Sequence, residues 1–456
     1  MNNLTIDHRT TFKLLVLYVF VGLVAGIGAI IFQQLMSVFN IFILEGVAGY
    51  REVQIVTGAR RIVLPWTRPE FRSWLFPILA GTGGLITGLI VYRFAPEAAG
   101  HGTDEVINAY HHHNGKIRLR VSIVKMIASA ITIGSGGSGG KEGPIAQIGA
   151  GFGSYICTKI PAYKSYRKEI MLAGMAAGIA AIFRAPLAGA IFAAEILHSD
   201  MRYDGKVLIP GIIAASVSYG VYALYFGLYP VFAIPSFQYT FNLLHLIPFT
   251  AIGILSAFGA IGFVRYFYWI RDLFLKLTIK PYLKPAIGGI LTGLVGMGFA
   301  GSIGEGSFQM QQIFTGSVPL FSLIALFLLK MVTTSFSIGS GGSGGIFGPS
   351  LMIGAALGGV VGNIFLTLVP TSTIPLVVFI LLGMVGFFSG AANAPISTVI
   401  IVAEMTGVFT LLVPFLWVAM FGYVFSQKWN IYENQIPLQK HILEVADSDV
   451  PQRSWK

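Results

Sequence analysis

Charge is scarce in this sequence: Asp, Glu, Lys and Arg together make up 11% of its 456 residues. A soluble protein covers its surface with about a quarter of such residues, so a water-soluble globular body is excluded. Cysteine is nearly absent. Cys157 is the only one, which rules out an internal disulfide and any cysteine metal cluster. Sustained apolar–polar alternation is missing too, and with it the signature of a barrel strand. What is present is apolar: 55% hydrophobic residues and a mean hydropathy of +0.75. Long apolar stretches recur along the chain, as a hydrocarbon core roughly 30 Å thick demands. The first, Leu14–Ile43, follows Arg9 and Lys13. It is too long for a signal peptide and lacks a cleavage site, so it reads as a retained transmembrane helix.

The formal net charge is +11, a value that invites a nucleic-acid partner. The basic residues argue against one, because they sit in short loops: Arg51–Arg72, Lys116–Arg120 and Lys159–Lys168. In a membrane protein such residues flank the headgroups. Several loops are basic, so charge alone assigns no orientation. The closing stretch, Gln427–Lys456, is polar and too short for an independent domain.

The strongest organisational signal is internal repetition. GSGGSGG at Gly134–Gly140 recurs letter for letter at Gly339–Gly345, 205 residues later. Lys125 and Lys330 stand at the same offset, as do GLITGL at Gly84–Leu89 and GILTGL at Gly289–Leu294. Arg184-Ala185-Pro186 through Glu195 matches Asn393-Ala394-Pro395 through Glu404 at an offset of 209. A single transmembrane domain, 1–456, thus holds two related halves, near 80–200 and 285–410, joined by an apolar stretch around 206–275. Duplicated halves with interrupted hydrophobic segments are a signature of transporters, whose sites lie at the repeat interface. Pieces such as Ala173–Phe183 and Pro186–Leu197 are too short to cross, and read as tilted, re-entrant or half-spanning helices. The fold class is all-α.

The two glycine loops continue as GKEGP, Gly140–Pro144, and GIFGP, Gly345–Pro349. Each proline suits the first turn of a helix. The glycines before it let successive N–H groups turn toward one point. A helix start of this kind offers free N–H donors and about half a positive charge, a site for an anion. Other readings fit less well. Gly134–Gly139 satisfies GxGxxG, but no strand precedes it. A P-loop needs Ser or Thr after its lysine, whereas Glu142 follows Lys141. Small residues can also serve helix packing in membranes; duplication followed by a proline start weighs against that alone.

Together GKEGP, GIFGP, NAPIST with EMTG across Asn393–Gly407, and Ile431-Tyr432 resemble the CLC family of chloride channels and proton-coupled chloride transporters. The resemblance covers about residues 14–437. It implies an inverted-topology repeat of tilted and re-entrant helices, a homodimer in a lipid bilayer, and a separate anion pathway in each subunit. It also implies a multi-pass protein of the cell (inner) membrane, of bacterial type; unlike many relatives, it is expected to carry no nucleotide-binding regulatory domains after Tyr432. No cofactor, metal or nucleic acid is expected, only chloride or another small anion as transported ligand. By position Glu142 matches the gating glutamate, which occupies the anion site when ionised and leaves when protonated. The competing reading makes it a helix-start cap. Ile346 and Phe347 match residues whose backbone N–H groups hold the central ion, and Tyr432 matches a tyrosine whose hydroxyl donates to it. Tyr432 could equally be an interfacial anchor. The expected anion-binding set is His101, Gly102, Lys141, Gly143, Gly345, Ile346, Phe347 and Tyr432.

Two positions depart from the family pattern. The usual GSGIP is Gly100-His101-Gly102-Thr103-Asp104 here, with His101 where a serine donates to the ion. Its ring can donate and titrates near neutrality, or it can turn aside and leave backbone donors. The internal proton-accepting glutamate of many transporters is Ile196, which binds no proton. That change tilts the expectation toward a passive, Glu142-gated channel, with chloride/proton antiport as the alternative. An enzyme would need a convergent nucleophile, base or metal set, and none appears. Glu195 and Glu404 lie in apolar runs where a cation transporter would use them, but both match family positions with structural roles. His111–His113 read as a solvated loop, since three consecutive histidines cannot face one point.

Overall fold

The computed structural model describes residues 8–51, 69–200 and 203–437. Most of the basic segment Arg51–Arg72, and the polar tail beyond Pro437, lie outside the described residues. Among those residues there are sixteen α-helices and no strand. Helix α1 (His8–Asn40) comes first. The first repeat carries α2 (Phe76–Phe94), α3 (Thr103–His112), α4 (Leu119–Gly134), α5 (Glu142–Lys159), α6 (Arg167–Phe183) and α7 (Pro186–Glu195). Two helices, α8 (Gly205–Phe226) and α9 (Leu246–Lys276), make the connecting stretch. The second repeat carries α10 (Lys284–Gly298), α11 (Ser307–Phe314), α12 (Leu320–Gly339), α13 (Phe347–Leu368), α14 (Leu376–Ala392) and α15 (Pro395–Thr406). Helix α16 (Leu412–Ser426) follows.

Six helical segments among the described residues are long and apolar enough to cross a bilayer, the first running Thr11–Glu45. Helices α3, α7 and α11 have only 10, 10 and 8 residues. At 1.5 Å per residue each covers about half the hydrocarbon thickness or less. Breaks at Arg184 and Asn393, where φ is 54° and 53°, separate α6 from α7 and α14 from α15. One sequence reading needs correction. The piece Ala173–Phe183 is the second part of a 17-residue helix that starts at Arg167. Gly174 within it is a contact point: a Cβ there would strike the Gly149 carbonyl oxygen of α5.

Matched positions of the halves make matched bonds across the seam. Ser129 Oγ lies 2.9 Å from Ser343 Oγ, and Thr334 Oγ1 lies 3.0 Å from Ser138 Oγ. Each pair joins the helix before one glycine loop to the other glycine loop. The carboxylates do likewise. Glu195, ending α7, accepts from Ile396 N and Ser397 N at 3.0 and 2.7 Å, closing the start of α15. Glu404, near the end of α15, accepts from Leu187 N and Ala188 N at 3.4 and 2.9 Å, closing the start of α7. Helices whose ends answer each other this way run antiparallel, as an inverted repeat requires. A buried N–H bonded to a carboxylate stabilises by about 1.5–3 kcal/mol, so the structural reading of both glutamates fits their surroundings.

Candidate anion site

Four short segments meet at the middle of the molecule, each leading into a helix: Gly100–Thr103 into α3, Gly140–Pro144 into α5, Gly304–Ser307 into α11 and Gly345–Pro349 into α13. The two glycine loops pair reciprocally, Gly140 N to Gly345 O at 2.7 Å and Gly345 N to Gly140 O at 2.6 Å. Gly100 N donates to Gly342 O, and Gly139 N donates to Gly304 O. Backbone groups are thereby satisfied between loops, which frees the helix starts to point elsewhere. Pro144 and Pro349 both fall in the first turn of their helices, which begin at Glu142 and Phe347.

Buried lysines fix the other two loops. Lys125 Nζ donates to Ala98 O at 3.1 Å and Gly100 O at 2.6 Å. Lys330 Nζ donates to Ser302 O at 3.3 Å and Gly304 O at 2.9 Å. Carbonyls around an ammonium offset the cost of burying it, and they hold the loops in a shape that needs positive φ. That angle is 67° at both Gly100 and Gly304, 86° at Gly102 and 85° at Gly306. Gly143 is constrained by contact: a Cβ there would collide with the His101 carbonyl oxygen and stand 3.1 Å from the Gly345 Cα.

The Glu142 side chain is 6% exposed and reaches across the seam. Its Oε2 accepts from Gly348 N, at the start of α13, at 3.2 Å. A carboxylate therefore sits where the dipoles of α5 and α13 both favour negative charge. The neighbouring Ile346 and Phe347 are 2% exposed, and their N–H groups open α13 with no preceding turn to accept them. The Phe347 ring is turned into an aromatic cluster, with centroids 4.6 Å from Phe183 and 3.9 Å from Phe388. It offers the site its backbone only.

Next to this start stand His101 and Tyr432, whose ring centroids are 5.6 Å apart. Both His101 Nδ1 and the Tyr432 hydroxyl are buried without a hydrogen bond of ordinary geometry. Tyr432 is 1% exposed, a depth that excludes the interfacial-anchor reading. Its segment is tied down on both sides: Ile431 O accepts from Tyr268 Oη at 2.6 Å, and Asn434 N donates to Asp104 Oδ1 at 2.9 Å. Buried polar groups almost always find partners, so two orphans side by side at a helix start fit a small anion that accepts from them. His101, Gly102, Gly143, Gly345, Ile346, Phe347 and Tyr432 come together here. Lys141 points away from them.

Lys141 instead joins Glu305, Nζ to Oε1 2.9 Å. A cavity of about 20 Å³, room for about one water, is lined there by Lys141, Glu142, Phe183, Glu305, Ser307 and Gly348. Sequence reading missed Glu305. The signal was available: Gly304-Glu305-Gly306-Ser307 repeats Gly100-His101-Gly102-Thr103 at an offset of 204. Ile196 is fully buried, and its carbonyl accepts from Gln435 Nε2 at 2.9 Å. The histidine triplet is not a loop. It ends α3, with His112 and His113 exposed, while His111 Nε2 lies 2.9 Å from Leu197 O. Among the described residues no group of three His, Cys, Asp or Glu could hold a metal.

A family model described as voltage gated chloride channel matches residues 83–427. The H(+)/Cl(-) exchange transporter ClcA of Vibrio parahaemolyticus is 32% identical over 374 residues, 79% of each chain. An uncharacterised protein of Methanocaldococcus jannaschii is 30% identical over 373 residues, 82% of this chain and 90% of that one. Two solved structures share the fold, each with a TM-score of 0.79. One is a slow cyanobacterial Cl-/H+ antiporter, 22% identical, covering 96% of this chain and 99% of that one. The other is a CLC-type fluoride/proton antiporter, 21% identical, covering 94% of this chain and 99% of that one.

Proposed function

This chain belongs to the family of voltage gated chloride channels, a multi-pass membrane family of anion transport proteins, and from that premise we propose that it exchanges chloride for protons. The observation that carries the reading is the Glu142 carboxylate seated on the Gly348 N–H. When ionised it holds the position an anion would take; when protonated it releases that position and carries a proton with it. One side chain then serves both ions, which is what obligatory exchange needs. The relatives weigh the same way, since the one from Vibrio parahaemolyticus is named an exchange transporter. Ile196 alone favours a passive channel, and the Glu142 geometry and the exchanger relative outweigh it. The working unit is a homodimer, each subunit with its own pathway.

The test is the reversal potential of reconstituted protein in opposed chloride and pH gradients. An exchanger follows the proton gradient at fixed stoichiometry. A reversal potential equal to that of chloride alone would return the protein to the passive channels.

In this reading the central anion is held by the N–H groups of Ile346 and Phe347, the Tyr432 hydroxyl and the His101 ring. A hydrogen bond to a charged group is worth about 1.5–3 kcal/mol. His101→Leu should therefore weaken calorimetric chloride binding by about tenfold or more, while His101→Ser, which keeps a donor, stays within a few-fold of the parent. Equal affinity in all three proteins would take the histidine out of the site.

A further inference from the structure

We propose that the buried Lys141–Glu305 pair sets the pH at which Glu142 lets anions pass, by presenting it with a cancelled charge. This rests on Glu142 being the pH-sensitive gate.

The two side chains are 12% and 10% exposed, with Nζ and Oε1 2.9 Å apart, and they share the small cavity with Glu142. Lys141 comes from the residue before Glu142. Glu305 comes from the other repeat, on a loop held by Lys330 through Gly304 O. Charged and titratable groups facing Lys141 are Glu142 on its own helix, Glu305 before α11 and Tyr222 on α8. Arg184, at the end of α6, also faces Tyr222. The Arg184 guanidinium donates to Tyr229 O and Phe226 O, so it does not compete for Glu305.

Solvent screens a buried charge weakly, so each partner acts on Glu142 in full. Together they carry no net charge and act on Glu142 with opposite signs. Remove the Glu305 charge, and a lone ammonium beside Glu142 favours its ionised, seated form; more acid is then needed to release it. Remove the Lys141 charge, and a lone carboxylate repels Glu142, which then takes up a proton at higher pH. The signs are opposite, a pattern that loss of packing does not produce. The repeat also gives the pair a counterpart. Ile346 and His101 occupy the matching positions on the other side of the seam, where no ion pair exists and the orphan donors are left free for the anion.

The experiment is anion flux from proteoliposomes against pH. Glu305→Gln should move the half-maximal pH down, and Lys141→Gln should move it up, each by about one unit, the scale of a buried charge at this range. The double variant should return near the parent. Should Glu305→Gln not fold, the double variant must still lie at lower pH than Lys141→Gln alone. In a Glu142→Gln background neither substitution should move a profile. Shifts of the same sign, no shift, or shifts that persist without Glu142 each overturn the proposal. A parent flux that is flat with pH would instead defeat the gate reading itself.

Discussion

Glu142→Gln is expected to leave a folded protein whose anion flux no longer follows pH and no longer carries protons. The amide keeps the size of the carboxylate, so the packing between α5 and α13 persists. What it loses is charge. A neutral side chain has little claim on the dipoles of two helix starts, so the seat beside Gly348 N opens to anions at every pH. Proton-driven chloride movement should fall to background, while passive flux stays at or above the parent level. The check is a pair of measurements, chloride efflux and proton uptake, on one vesicle preparation. Coupled proton uptake that survives the substitution would mean that another group carries the proton.

Gly143→Ala should be as damaging, for a different reason. The added methyl meets the His101 carbonyl oxygen and the Gly345 Cα together, and neither is the free end of a side chain. One loop must shift, and the Gly140–Gly345 bonds at 2.7 and 2.6 Å leave little slack. Overpacking of this kind costs about 1–3 kcal/mol. The larger loss is geometric, because the donors are aimed by these loops. Flux should fall by about tenfold to a hundredfold, a scale set by the sensitivity of oriented groups to small displacements, while the protein remains extractable in folded form. Normal flux would show that the loops tolerate rearrangement.

Much of the site was legible because it was written twice. GSGGSGG with a following proline marked both helix starts, and Glu142 announced itself by interrupting one copy with a charge. The resemblance then supplied what spacing could not, the meeting of His101 and Tyr432, which lie in distant segments yet face one another at 5.6 Å. Glu305 escaped because its loop repeats only its glycines and its hydroxyl, with glutamate answering histidine between them. The piece Ala173–Phe183 misled in the other direction, because the charged Arg167, Lys168 and Glu169 that open its helix look like loop residues in sequence. The histidine triplet misled through geometry. Successive residues on a helix point about 100° apart, so His111 could turn to Leu197 while His112 and His113 stayed outside.

The reciprocal closure of helix starts by Glu195 and Glu404 limits how this molecule can move. A machine that rocks one half against the other needs a boundary that slides. Here the starts of α7 and α15 are each closed by a carboxylate of the opposite half, and hydroxyl pairs link each glycine loop to the other repeat. Rigid rocking would strip partners from these groups together, at about 1–3 kcal/mol for each buried one, Ser397 N and the two hydroxyl pairs among them. A gate that suits such a frame is a small one, and the proposed swing of the Glu142 carboxylate off Gly348 N needs no sliding boundary.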